Sequence, residues 1–286
     1  MAGRKISVNR ILCVDEGRRV VEGDVIEVRD QPLPPPPRDQ DVRILHLDDH
    51  LVVADKPSGM LSVRHPGDVD WRQERKDRQP SLEECLQRLI AGKSGRRLRP
   101  EHVQLLAVHR IDRETSGVLV FARTTTAQDG LIDQFAKHHT IRRYRCFVPG
   151  KVESQTIESR QVRDRGDGLR GSSTDGQHGL RMVTHVTRVA TYGLYSELEC
   201  RLETGRTNQI RIHLAELGHP ICGDVKYRSA FGQPPIPDIS KAPRLALHAM
   251  ELGFVHPLTR KAMSFSVPWP ADLQRFLAAV KADGKR

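Results

Sequence analysis

The densest gathering of groups able to do chemistry is Val108-His109-Arg110-Ile111-Asp112-Arg113-Glu114-Thr115-Ser116-Gly117, set directly before the apolar run Val118 to Phe121. An extended backbone there would put Arg110 and Asp112 on one face, because strand side chains alternate with a period of two. Gly117 lets the chain enter a core strand with no side chain in the way. A solvated loop whose Asp and Arg pair with each other accounts for the same residues. A second cluster, Leu202-Glu203-Thr204-Gly205-Arg206-Thr207-Asn208-Gln209-Ile210-Arg211-Ile212-His213-Leu214, is followed by Gly218-His219-Pro220-Ile221-Cys222-Gly223-Asp224. Ile210, Leu214 and Leu217 make one helical stripe, with Arg211 at its edge where a long side chain can reach into a cleft. His109, His213, His219 and His248 raise a metal reading in a chain with 13 histidines. No pair of them has helical ligand spacing beside a carboxylate, so no metal is expected.

Composition narrows the partners. The chain has 286 residues, 37% apolar and 29% charged, the profile of a soluble globular protein. No apolar run approaches the ~20 residues of a membrane-spanning helix, and no membrane partner is expected. Met1 to Ile6 carries charge without an apolar stretch behind it, which points away from secretion and toward the cytoplasm. The 5 cysteines lack Cys-x-x-Cys spacing and read as reduced, mainly buried spacers. Lys+Arg of 46 against Asp+Glu of 36 leaves a net charge of +10, the footprint of a polyanion partner or simply of a cationic surface. Arginines dominate Arg96-Arg97-Leu98-Arg99, Arg142-Arg143-Tyr144-Arg145 and the positions 160, 163, 165 and 170, which suits bidentate phosphate contacts.

The elements that must position these groups follow from periodicity. Residues 1–30 read as a short strand-turn-strand unit with its turn at Gly23-Asp24, and the run Pro32 to Pro37 makes residues 31–40 a polyproline-like linker. Residues 41–286 read as one domain. Within it, Val42 to Leu47 and Leu51 to Asp55 form a hairpin. Gly67 to Gln79, without apolar period, reads as a mobile loop. Ser81 opens a helix with Glu84 at capping-box spacing and Gly92 as its stop. Val118 to Phe121 is a strand, Thr126 caps the next helix, and Ile141 to Val148 returns as a strand. Asp164 to Gly179 reads as a loop. Val183 to Thr191 and Tyr195 to Leu202 pair around Gly193, and Thr207 caps a helix ending before Gly218. Gly223 to Ala242 is a loop, and Leu245 to Val255 with Ala262 to Val267 makes a last hairpin before a C-terminal helix. Hairpins interleaved with helices predict an α+β fold with a largely antiparallel mixed sheet flanked by helices.

Both clusters, with Lys56-Pro57-Ser58-Gly59, Tyr144 and Leu245-Ala246-Leu247-His248-Ala249, resemble the RluA-type family of RNA pseudouridine synthases, in order from about Leu45 to the end. The resemblance implies the pseudouridine synthase fold and makes Asp112 the catalytic aspartate, within His109-Arg110-Ile111-Asp112 and Thr115-Ser116-Gly117. It implies that Tyr144 is an active-site tyrosine, that Arg211 pairs with the catalytic carboxylate, and that Leu247 walls the uracil. Asn208 stands where the family pattern has histidine. Residues 1–30 resemble the second half of an S4-type RNA-binding module. The implied partner is ribosomal or transfer RNA, with no cofactor and no demand for an oligomer.

The implied reaction is the isomerisation of uridine to pseudouridine, for which an ionised Asp112 either attacks C1′ or takes a 2′ proton. Burial would raise its pKa and Arg211 would lower it, so Arg211 is expected to keep it charged. The uridine must be flipped out, with Tyr144 stacking on it and Arg110 entering the vacated stack or gripping phosphates. Two other readings use the same residues: a catalytically inert RNA-binding protein or RNA chaperone, and a hydrolase working through Asp112 and a histidine.

Overall fold

The computed structural model describes residues 5–8, 11–13, 17, 19–20, 26–28, 35–93 and 98–283. They divide into two units, Met1–Pro36 and Pro37–Arg286. In the first, strands β1 (Ile6–Val8), β2 (Ile11–Leu12) and β3 (Ile26–Val28) form an antiparallel sheet in the order β2-β1-β3. Ser7 and Val8 are buried while Ile26 and Val28 are exposed. The Gly23-Asp24 turn, residues 32–34 of the proline run, Asn9 and Val25 of the S4-like pattern, and Arg96 and Arg97 lie outside the described residues.

The second unit runs β4 (Arg43–Leu47), β5 (Leu51–Lys56), α1 (Gln73–Arg78), α2 (Leu82–Lys93), β6 (Leu106–Ala107), β7 (Ser116–Ala122), α3 (Thr125–Ala136), β8 (Ile141–Pro149), β9 (Gln155–Val162), β10 (Gly171–Ser172), β11 (Leu180–Tyr192), β12 (Tyr195–Leu202), α4 (Gln209–Glu216), β13 (Leu247–Val255), β14 (Ala262–Ser266) and α5 (Ala271–Asp283). Its sheet has 11 strands, ordered β10-β9-β11-β12-β8-β13-β7-β5-β4, with β14 on β13 and β6 on β7. Every pairing among the described strands is antiparallel except β13 with β7. That parallel seam joins two antiparallel halves. Gly117 makes the seam possible: its φ is +121°, and a Cβ there would run into the main chain of Ala249.

Strand β7 reads as a continuous apolar run because both of its faces are covered. Leu119 and Phe121 pack into the larger core with Leu82, Leu86 and Ile90 of α2. Val118 and Val120 pack on the other face against Ala127 and Leu131 of α3. The C-terminal helix α5 closes the larger core with Leu273, Phe276, Leu277 and Val280.

Several local expectations are corrected. Thr124, not Thr126, caps α3: its backbone is extended and its hydroxyl accepts from the Ala127 N–H at 3.3 Å. Gly92 lies inside α2, which continues to Lys93, because a glycine with open space around it only weakens a helix. Ser81 does accept from the Glu84 N–H at 3.4 Å, but the Glu84 carboxylate turns to Arg64 at 2.7 Å instead of completing a capping box. The segment Gly67 to Gln79 contains α1, which has no apolar period; beside it the Trp71 ring contacts the guanidinium of Arg75, 3.6 Å from its centroid, and that of Arg64, at 5.6 Å. Asp164 to Gly179 includes the two residues of β10, and Gln155–Val162 forms β9, which polar alternation on a half-exposed strand conceals.

Candidate active site

The candidate aspartate stands in the turn that leads into β7. The Thr115 N–H donates to the Asp112 carbonyl at 3.1 Å. No strand forms over residues 108–115, yet Arg110 is exposed, Ile111 buried and Asp112 partly exposed. The extended backbone expected to put Arg110 and Asp112 on one face does not form as a strand here. Lys56-Pro57-Ser58-Gly59 cradles this turn. The Lys56 ammonium is fully buried and donates to the carbonyls of Met60 at 2.7 Å, Pro57 at 3.1 Å and Arg113 at 3.2 Å. The Ser58 hydroxyl donates to the Glu114 carbonyl at 2.6 Å, and the Gly59 N–H to the Arg113 carbonyl at 2.7 Å. Ser62 accepts from the Ile111 N–H at 3.1 Å and donates to its carbonyl at 2.8 Å. Burial pulls the Lys56 pKa down to about 7, against the opposing pull of the Glu114 and Asp112 carboxylates.

Arg211 projects from the first turn of α4. The expected apolar stripe is corrected: every residue from Gln209 to Ala215 is buried and Leu217 is exposed, because the helix is enclosed on all sides instead of lying on the surface. The guanidinium Nε and Nη2 form a bidentate pair with Asp224, at 2.7 and 2.9 Å. Its Nη1 stands 3.8 Å from Asp112 Oδ2 and 3.7 Å from Glu114 Oε2. Arg211 thus meets Asp112, but its principal partner is Asp224, whose side chain is 0% exposed. Asp224 also accepts the N–H groups of Lys226 at 2.7 Å and Tyr227 at 3.0 Å. The Tyr227 ring lies 5.1 Å from the guanidinium carbon.

The electrostatic balance differs from the expectation that Arg211 would hold the aspartate low. Burial pushes the Asp112 carboxyl above its ordinary value, and Glu114 adds to that, outweighing Arg211, Lys56 and the donated N–H of Asn208. Arg211 reaches Asp112 only at long range because two of its three nitrogens are committed to Asp224. Glu114 is held below its ordinary value: burial pushes it up, but Arg113 and Arg211 prevail. Arg211 itself is pushed up, its carboxylate partners overcoming burial.

Tyr144 sits on β8, opposite Cys200 of β12 and Ala249 of β13. Burial, reinforced by the Asp112 charge and opposed by Arg142, raises its hydroxyl to about 12. Leu247 opens β13 opposite Cys146 and is buried in the same core cluster as Ile111 and Tyr144. Arg110 stands in solvent at the rim. Thr207 does not cap α4. Asn208 occupies that position in the left-handed region, φ +60°, without capping through its side chain.

Sequence reasoning missed Asp224 and Glu114 as members of this cluster. A signal for Asp224 exists in Gly223, which has a φ of +76° and a backbone packed on Arg244, so that the next side chain is aimed inward. For Glu114, adjacent to a charged turn, no sequence pattern separates a site carboxylate from a solvated one.

The profile of the RNA pseudouridylate synthase family matches residues 50–216. The chain is 37% identical over 254 residues to the ribosomal large subunit pseudouridine synthase D of Zymomonas mobilis, covering 86% of this chain and 76% of that protein. It is 35% identical over 261 residues to the protein of that name from Xanthomonas campestris, covering 87% and 72%. Among solved structures, human RNA pseudouridylate synthase domain containing 4 superposes with a TM-score of 0.63 at 21% identity, over 83% of this chain and 92% of that one, a likeness of fold. This chain, whose Asp112 and Arg211 motifs meet at 3.8 Å, belongs to the RNA pseudouridylate synthase family.

Proposed function

We propose that this protein isomerises uridine to pseudouridine in large-subunit ribosomal RNA, with Asp112 as the reacting carboxylate. The observation that carries the reading is the half-buried Asp112 carboxylate with Arg211 Nη1 at 3.8 Å. The names of the relatives support the ribosomal target. In the reaction the N1–C1′ bond breaks, the uracil turns, C5 joins C1′, C5 gives up its proton and N1 gains one. Asp112 acts in its ionised form, as nucleophile at C1′ or as base at the 2′ position. Arg211, locked on Asp224, supplies a fixed positive charge that does not reorganise during the reaction.

A flipped uridine costs a few kcal/mol to extrude. Tyr144 offers a stacking face, and its high pKa keeps it a neutral hydroxyl near neutral pH, able to relay the C5 proton but not to act as a resident phenolate. Leu247 walls the uracil, and exposed Arg110 enters the vacated stack or grips the backbone. Residues 1–30 act as an accessory RNA-binding unit joined through residues 31–40 to the catalytic domain, residues 41–286, and the protein works as a cytoplasmic monomer. Purified protein incubated with ribosomal and transfer RNA, followed by carbodiimide treatment and primer extension, tests this. A new stop with the parent chain and none with Asp112→Ala is the expected result. A stop only on transfer RNA relocates the target, binding without a stop supports the inert alternative, and release of free uracil supports the hydrolase.

A further inference from the structure

Asn208 holds the nitrogen of Arg211 that faces Asp112 at 3.8 Å. Its side-chain Oδ1 accepts from Arg211 Nη1 at 3.1 Å, and its Nδ2 donates to the Tyr227 hydroxyl at 3.1 Å. The amide orientation is thereby fixed, since a guanidinium can only donate. Nη1 is the nitrogen that Asp224 leaves uncommitted and the one facing Asp112 and Glu114. The backbone is left-handed, φ +60° and ψ +18°, a region that Asn, Asp and His enter more readily than other residues with a Cβ. The Asn208 carbonyl accepts from the Ile212 N–H at 2.9 Å, but its side chain makes no capping bond to α4 and is committed to Arg211 and Tyr227 instead.

We propose that Asn208 is a positioning residue of the reaction, a single left-handed residue that sets the guanidinium edge of Arg211 and the carboxylate of Asp112 relative to each other. From its left-handed backbone the side chain reaches Arg211 Nη1 and the Tyr227 hydroxyl at once. The tolerance of histidine for the same backbone region explains physically how Asn208 occupies a position where the family pattern has histidine. The charged and titratable groups facing Asp112 are Arg211 from α4, Lys56 from β5, Glu114 from its own turn, Tyr144 from β8 and Tyr227 from the loop after Asp224. Asn208 acts on this set through Arg211.

This rests on the proposed reaction, so the parent chain is measured first: a parent inactive on RNA refutes that reading, while the results below bear on Asn208 alone. Asn208→Gly keeps the left-handed backbone and the N–H donor but removes the amide. Single-turnover pseudouridine formation by the full chain should fall about tenfold or more, with RNA affinity changed less than about threefold. The acid limb of its pH–rate profile should move to higher pH, because Arg211 Nη1 is freed from its place beside Asp112. Asn208→His should restore most of the rate. Tyr227→Phe, which removes only the acceptor that orients the amide, should shift the acid limb in the same direction by less, and it stands in if the glycine variant does not fold. Parent rate and parent acid limb in the glycine variant, or an equal loss with no shift of the limb in any variant, overturn the proposal.

Discussion

Replacing Arg211 with methionine removes a cation around which three carboxylates converge. Asp224 is left with no exposure and only two backbone N–H donors, and Asp112 and Glu114 lose the nitrogen 3.8 and 3.7 Å away. Breaking a buried pair on one side costs about 3–5 kcal/mol, because an uncompensated charge stays behind. At 2–4 °C per kcal/mol for a domain of this size, the melting temperature should drop by about 6–20 °C. The sign of the pH dependence follows from linkage. Burial already raises the folded-state Asp112 carboxyl and the variant removes the Arg211 charge that opposes this, so the folded state holds more protons than the unfolded one between the two pKa values and its stability falls as pH rises through that window. The deficit should be smaller near about pH 5 than near about pH 8, since protonation removes the unpaired charge. Scanning calorimetry of both proteins across that range measures it. A melting temperature within about 2 °C of the parent at the alkaline end, or a deficit that grows on acidification, would refute the assignment of Arg211 as the buried counter-charge.

Asp112→Asn should abolish pseudouridine formation yet leave the melting temperature near pH 7 unchanged or higher. A carboxyl raised by burial binds its proton more tightly folded than unfolded, so its ionised form costs stability above its unfolded pKa, and Arg211 still has Asp224. A clearly lower melting temperature contradicts this. Tyr144→Phe keeps the stacking face and removes a hydroxyl raised to about 12, so the single-turnover rate should fall by about 10²–10⁴ with little change in RNA affinity; a purely structural tyrosine would show equal losses in both. Gly117→Ala forces a Cβ into the Ala249 main chain at a φ of +121°, and a soluble, fully active variant with parental stability would disprove the close approach at the seam.

Particular residues show how far the sequence carried. The hairpins around residues 48–50 and Gly193 were legible because turn residues interrupt apolar runs. The run Val118 to Phe121 was legible because a strand covered on both faces admits no polar position. The cap at Thr124 was not: Thr124, Thr125 and Thr126 are chemically equal, and only the exit of β7 decides which of them is still extended. Helix α1 was hidden because contacts between an aromatic ring and arginines leave no periodic trace.

By itself the sequence determined which groups are available: an aspartate before a core strand, an arginine on a short helix, a tyrosine on a strand, and enough basic charge for a nucleic acid. Side-chain type and local spacing are short-range properties, and they suffice for that. Who pairs with whom was decided only by the tertiary structure. The folded chain brings the turn before β7 beside α4, where Asp224 takes two nitrogens of Arg211 and leaves the third for Asp112 and Glu114. Burial and charge sum over every neighbour in three dimensions, so the raised Asp112 carboxyl follows from the packing around it and could not be read from the residues beside it in the chain.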